Sequence, residues 1–144
     1  MRTATADDAA LLLPLYESFY GGHFRPKTVE AVREHLIAAS MIDTVLVAEL
    51  AGEPVGFASL RILPQVENDL PHAELSDLFV VEGHRRRGVG RALLAAAEGL
   101  AATRGSPWIV LVTGFENGGA RDFYRALGFE DHALQMKKDL GGSR

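Results

Sequence analysis

A chain of 144 residues, 47% hydrophobic and 24% charged, is long enough to bury one core and too apolar to stay disordered. Its formal net charge of -4 excludes a general nucleic-acid binder, whose nonspecific affinity comes from an excess of lysine and arginine. Having no cysteine, it has no disulfide, no thiolate metal site and no thiol to carry an acyl group, and a reducing, cytoplasmic setting is the expectation.

Met1 to Ala4 is short enough for an edge strand, and Thr5 with Asp8 forms a helix-start capping pattern. Met1 to Asp8 lacks a basic region followed by an apolar one, and no apolar run approaches the roughly 20 residues of a membrane span, so no membrane partner is expected. From Ala9 to Tyr20, Leu12, Leu15, Tyr16 and Phe19 recur at three-or-four spacing and predict a helix, which Gly21-Gly22 stops. Thr28 to Ala39 repeats the pattern through Val32, Leu36 and Ala39. Thr44 to Leu50 and Val55 to Leu63, separated by Gly52-Glu53, read as an antiparallel hairpin. Ala73 to Val81 is a further strand. It leads into an Arg and Gly cluster and then a helix, Gly88 to Thr103, with Leu93, Ala96, Ala97 and Leu100 at helical spacing. Trp108 to Val112 reads as a strand, Asn117 opens a helix that Gly128 ends, and Phe129 to Lys138 returns as a last strand. This order predicts a single α/β (α+β) domain over residues 1–140, a mixed, mostly antiparallel central sheet flanked by helices, with a tail at 141–144.

The most informative stretch is Arg85-Arg86-Arg87-Gly88-Val89-Gly90-Arg91, placed where a strand ends and a helix begins. A helix N-terminus leaves backbone NH groups unpaired and carries partial positive charge. Gly88 and Gly90 let phosphate oxygens approach those groups, and the arginines add charge matched to a pyrophosphate. The P-loop spacing does not occur, and the dinucleotide fingerprint needs a small residue where Leu93 stands. Arg85, Gly88 and Gly90 fill the pattern Arg or Gln, two residues, Gly, one residue, Gly or Ala, which resembles motif A of the GCN5-related N-acetyltransferases. The segment Asn117 to Phe129, with Asn117, Ala120, Phe123-Tyr124 and Gly128-Phe129, resembles motif B of that family. Two positions depart from it: Gly83 stands where Pro is frequent, and Arg86 where Gly is frequent.

The resemblance implies that acetyl-CoA is the cosubstrate and that the backbone of Leu78, Phe79 and Val80 pairs with its pantetheine arm. It further implies that Arg86 to Arg91 wrap the pyrophosphate, that Asn117 touches the cofactor near its thiol end and that Tyr124 faces the sulfur. The reaction implied is acetyl transfer to a primary amine of a small molecule or peptide by direct attack in a ternary complex, as the absent cysteine also favours.

An amine with a reference pKa of about 10.4 needs a base at neutral pH, and Glu74 and Asp77 precede the loop. Matched through Val80 and Gly88, Glu74 corresponds to the catalytic glutamate of the histone-acetylating branch. Three apart, the two carboxylates point to opposite faces of a regular strand, whereas a bulge would turn Asp77 inward. A strand NH near Phe79 or Val80 is placed to stabilise the developing oxyanion, and Tyr124 to protonate the thiolate. The resemblance also implies that the aromatic and glycine-rich stretch holding Tyr20, His23 and Phe24 borders the acceptor. The histidines show no paired zinc spacing, no Gly-x-Ser-x-Gly elbow is present, and neither metal nor nucleic acid is expected. A noncatalytic acyl-CoA-binding regulator is the alternative reading, and a homodimer paired through the final strand is a further expectation.

Overall fold

The computed structural model describes residues 1–23, 28–66 and 69–142, the side chain of His23 excepted. The described chain forms two compact units, Met1–Val110 and Leu111–Arg144.

The first unit is built on a sheet whose strands follow chain order. β1 (Arg2–Thr3) is the short edge, and β2 (Asp43–Leu50), β3 (Glu53–Leu63) and β4 (His72–Val80) follow it, each antiparallel to the last. β5 (Ile109–Leu111) lies beyond β4. Ala51 and Gly52 make the β2–β3 turn with φ of 50° and 80°, the two left-handed positions that let a tight hairpin follow the strands' twist.

Strand alternation sorts side chains between the two faces. Val45, Val47 and Phe57 lie on one face and pack with Leu12, Leu15 and Tyr16 of α1 (Ala9–Tyr20) and Val32 of α2 (Val29–Ala39). Opposite them, α3 (Val89–Thr103) buries Leu93, Leu94 and Ala97 against the other face, where Gly56 allows close approach. Phe57, Leu12, Leu60 and Leu93 are each fully buried, and each contributes about 1.5–3 kcal/mol by leaving water.

The turn before α1 starts at the predicted cap. Thr5 and Asp8 form a reciprocal capping box on the turn before α1, and Asp8 also takes two hydrogen bonds from the Arg2 guanidinium at 2.7 and 2.9 Å. Thr28 Oγ1 accepts from Ala31 NH at 3.1 Å to start α2.

In the second unit, α4 (Gly118–Ala126) is capped by Asn117, whose Oδ1 accepts from Ala120 NH at 3.2 Å. Gly128, at φ 95°, closes it, and Phe129 NH reaches back to Tyr124 O at 3.1 Å, satisfying carbonyls that a helix end leaves bare. The expected last strand, Phe129 to Lys138, is not formed: residues 129–140 carry no regular secondary structure, and residues 130–140 are exposed. Alternation favours an extended chain, but a strand exists only when a neighbouring edge takes its backbone groups.

Candidate active site

Four groups of residues singled out by sequence fall on the first unit: the carboxylates of β4, the end of β4, the loop into α3 and the end of α1. The register brings the carboxylates together. Ser59 pairs with Asp77 and Leu60 with Leu75, so Ser76 is an extra residue, a β-bulge in β4. Its hydroxyl donates to Ser59 O at 3.2 Å and so holds the bulge. Beyond it Arg61 pairs with Glu74. Ser59 and Arg61 share a face, so Asp77 and Glu74 share it too, and the regular-strand expectation of opposite faces does not hold.

That face is the one covered by α1. Tyr20, at the end of α1, donates its hydroxyl to Asp77 Oδ2 at 2.5 Å. The Ser59 hydroxyl is a second hydrogen-bond partner of Asp77, and Arg61 lies nearby. Arg61 itself is held by Asp43 through bonds of 2.8 and 3.2 Å. Burial pushes the Asp77 carboxyl above the usual range, against the opposing pull of Tyr20, Ser59 and Arg61. Burial likewise raises the Tyr20 and Tyr16 phenols, with the Asp77 charge adding to both. Phe19 stands edge-on to Tyr20 at 4.8 Å and also meets Phe57 and Phe79, so the cluster fixes the end of α1 against the sheet.

The end of β4 presents a backbone edge. Val81 NH donates to Val55 O at 2.8 Å, making a hydrogen-bonded pair. Alternation then turns the NH groups of Phe79 and Asp77 toward β3, and those of Leu78 and Val80 toward the outer edge. Of the two NH groups expected near the oxyanion, Val80's is the outward one. Trp108, just before β5, donates to His72 Nδ1 at the start of β4 (2.9 Å). A strand of this length spans about 10 Å and does not reach Leu78–Val80 from there.

The loop then reverses direction with Arg86 at φ 63° and Gly88 at φ 84°. Arg85 before them is extended, and the two positive-φ residues turn the chain sharply into α3, whose first NH groups are the anion-receptive ones. Gly88 is also the N-cap of α3 and brings no side-chain cap of its own. Ala92 is the first residue to donate back, to Gly88 O at 3.0 Å, so the first-turn NH groups of Val89, Gly90 and Arg91 have no acceptor within the helix. Arg87 and Arg91 are exposed beside them. These features fit a diphosphate. Arg85 is turned differently: its Nε donates to Val80 O at 2.9 Å, its guanidinium lies 5.8 Å from the Phe79 ring centre, and its NH donates to Glu82 O. The frequent family glycine at position 86 falls where φ is positive.

In the second unit Tyr124 packs between Phe123 and Phe129, ring centres 5.4 and 5.7 Å away, and burial pushes its phenol up. Asn117 spends its side-chain oxygen on the α4 cap, leaving its amide NH2 for other contacts. Arg121 binds the carbonyls of Gly114 and Phe115 and so ties the preceding loop to the helix. Phe24 and the His23 side chain lie outside the described residues. Sequence reasoning missed Asp43, Ser59 and Arg61. The alternation of Ser59 and Arg61 on β3 was a signal, but only the bulge joins them to Asp77 and Glu74.

Among the described residues no helix is long and apolar enough to cross a membrane, and no cluster of His, Cys, Asp or Glu could hold a metal ion. Residues 10–129 match the Acetyltransferase (GNAT) family. An uncharacterised N-acetyltransferase of Methanocaldococcus jannaschii, MJ1207, is 33% identical over 91% of this chain, which spans 60% of that protein's length. Another from Bacillus subtilis, YhfO, is 30% identical, with 91% of this chain and 89% of the relative covered. Among solved structures, AAC(6')-Iy in complex with a bisubstrate analogue, CoA-S-monomethyl-acetylneamine, superposes with a TM-score of 0.80 at 24% identity, covering 96% of each chain. Together the matched span and these relatives establish that the chain belongs to the GNAT acetyltransferase family.

Proposed function

We propose that the protein transfers an acetyl group from acetyl-CoA to a primary amine by direct attack in a ternary complex. The observation that carries the proposal is the turn at Arg86 and Gly88 running into the uncapped start of α3, directly after the outward edge of β4. Backbone NH groups of Arg86 to Arg91 would hold the diphosphate, with Arg87 and Arg91 adding charge. The outer edge at Leu78 and Val80 would take the peptide-like arm as an added strand.

Acetyl-CoA supplies the thioester, whose carbonyl carbon gains the bond to nitrogen as the bond to sulfur breaks. Asp77 accepts the proton of the attacking amine. Its raised proton affinity suits that task better than an ordinary surface carboxylate, and Glu74, on the same face, is the second candidate. The outward NH of Val80 faces the charge that develops on the acyl oxygen. Tyr124 is the candidate acid that returns a proton to sulfur, as the family resemblance implies. Asn117 would contact the cofactor through its remaining amide NH2. Asp43, Glu74 and Asp77 share the α1-covered face with one arginine, Arg61, which favours a cationic acceptor.

The test is thiol release from acetyl-CoA across a panel of amines, comparing the parent with Tyr124→Phe, Asp77→Asn and Glu74→Gln. Loss of a base or acid should lower kcat by roughly 100-fold or more with little change in acetyl-CoA affinity. Binding of acetyl-CoA with turnover on no amine would replace this reading with that of a noncatalytic acyl-CoA sensor.

A further inference from the structure

We infer that Tyr20 is a positioning residue: its hydroxyl fixes one oxygen of Asp77 and thereby orients the carboxylate and favours its ionised form. The inference rests on the reading of Asp77 as the base, and takes Tyr20 from the acceptor's lining to a role through that base.

Two parts of the chain meet at this bond. Tyr20 ends α1 just before Gly21, at φ 62°, and Asp77 sits immediately after the bulged Ser76, 57 residues later. At 2.5 Å the bond is at the short end of charge-assisted O–H···O geometry. The donor is itself held. Its ring meets Phe19 at 4.8 Å and Tyr16 at 5.9 Å, and Phe19 is braced by Phe57 and Phe79, so the hydroxyl cannot leave Asp77 without disturbing the α1 layer. A bulge frees backbone as well as side chain, and a carboxylate beside one needs an outside partner to hold a single orientation.

The groups facing Asp77 explain why a neutral donor is used. Tyr16 and Tyr20 come from α1, Asp43 from β2, Ser59 and Arg61 from β3, and Glu74 from β4. Arg61, the one cation of this set, is bound in bidentate fashion to Asp43, so much of its charge is already matched. Burial and the acidic neighbours favour the protonated carboxyl, in which state Asp77 takes no proton from an amine. The phenol and the Ser59 hydroxyl oppose this by hydrogen-bonding to the ionised form. The phenol keeps its own proton, because burial and the adjacent negative charge both raise its proton affinity.

The experiment follows the Asp77 side-chain carbon by 13C NMR over a pH titration of the whole protein, with Asp77→Asn identifying the resonance. Tyr20→Phe, which keeps the ring and its packing, should raise the Asp77 midpoint by about one pH unit. Ser59→Ala should move it in the same direction. In parallel, with whichever amine of the panel turns over, Tyr20→Phe should shift the acid limb of kcat/KM upward by the same amount and leave the KM for acetyl-CoA unchanged. A Tyr20→Phe titration superimposable on the parent overturns the inference. Failure of the base reading is separate: Asp77→Asn retaining full turnover removes the base while a shifted midpoint still records the coupling.

Discussion

Replacing Gly56 by alanine probes the backbone that carries the outward NH of Val80. Gly56 lies on β3 opposite Val80, and a Cβ there would stand 2.6 Å from Phe79 O, 3.2 Å from Leu93 Cδ1 and 3.4 Å from Val80 Cα. Leu93 is fully buried and has nowhere to swing, and the Phe79 carbonyl is fixed by the strand. Close C···O contacts stop near 3.3 Å, so β4 must withdraw by about 0.7 Å. Overpacking of this kind costs roughly 1–3 kcal/mol. With an unfolding entropy of about 2.1 cal/mol/K per residue over 144 residues, Tm should fall by roughly 3–10 °C. Calorimetric melting gives that number, and titration with acetyl-CoA gives the second readout. Because the displaced backbone carries the outward Val80 NH, affinity should fall in the residual folded protein as well. A variant melting within about 1 °C of the parent with unchanged affinity would refute the claim that β3 and β4 touch through this position.

Arg86→Gly should raise Tm by about 3 °C, since it relieves a left-handed conformation that costs an L-residue about 1 kcal/mol. Arg86→Ala keeps that conformation, so its Tm should stay put, and the loss of acetyl-CoA affinity shared by both variants measures the guanidinium alone, shrinking as salt rises. Thr5→Ala removes half the capping box before α1 and should cost about 1 kcal/mol in urea unfolding. Asp8 and Asp77 should leave opposite marks on stability against pH. The Arg2 guanidinium lowers the Asp8 carboxyl from 3.8 to about 2, so its contribution is complete above that range and lost as pH falls through it, and Asp8→Asn should flatten that acid arm. Asp77 has the reverse sign: its proton affinity is raised, so its contribution is full below pH 3.8 and lost as pH rises through the folded value. Asp77→Asn should therefore melt higher at pH 7, with the gain closing as the pH is lowered.

Most of the fold was legible because its signals were local. Thr5 with Asp8 and Asn117 each cap within three residues of themselves, and the stripe of Leu12, Leu15 and Tyr16 needs no distant partner. The place of the Arg85 to Arg91 loop between a strand and a helix was legible for the same reason, since strand end, glycines and helix start are contiguous. Two expectations depended on what lay elsewhere. The segment from Phe129 to Lys138 has the composition of a strand, but pairing is decided by another stretch of backbone. The facing of Glu74 and Asp77 turned on whether β4 stays in step with β3, and nothing in Glu74-Leu75-Ser76-Asp77 announces the slip. The Tyr20–Asp77 bond lay further still out of reach, because it joins elements that meet only after the sheet has formed.

The slip at Ser76 makes the chemistry of this strand a matter of parity. Drawing Ser76 into the ladder opposite Leu60, as a strand without the bulge would, inverts everything on its N-terminal side. Ala73 and Leu75 would then turn toward Arg61 and its acids, and Glu74 would be driven into the layer packed by Leu93 and Leu94. Deleting the serine, by contrast, would leave Leu75 opposite Leu60 and Glu74 opposite Arg61, so the acidic pocket and the oily layer would both stay in phase.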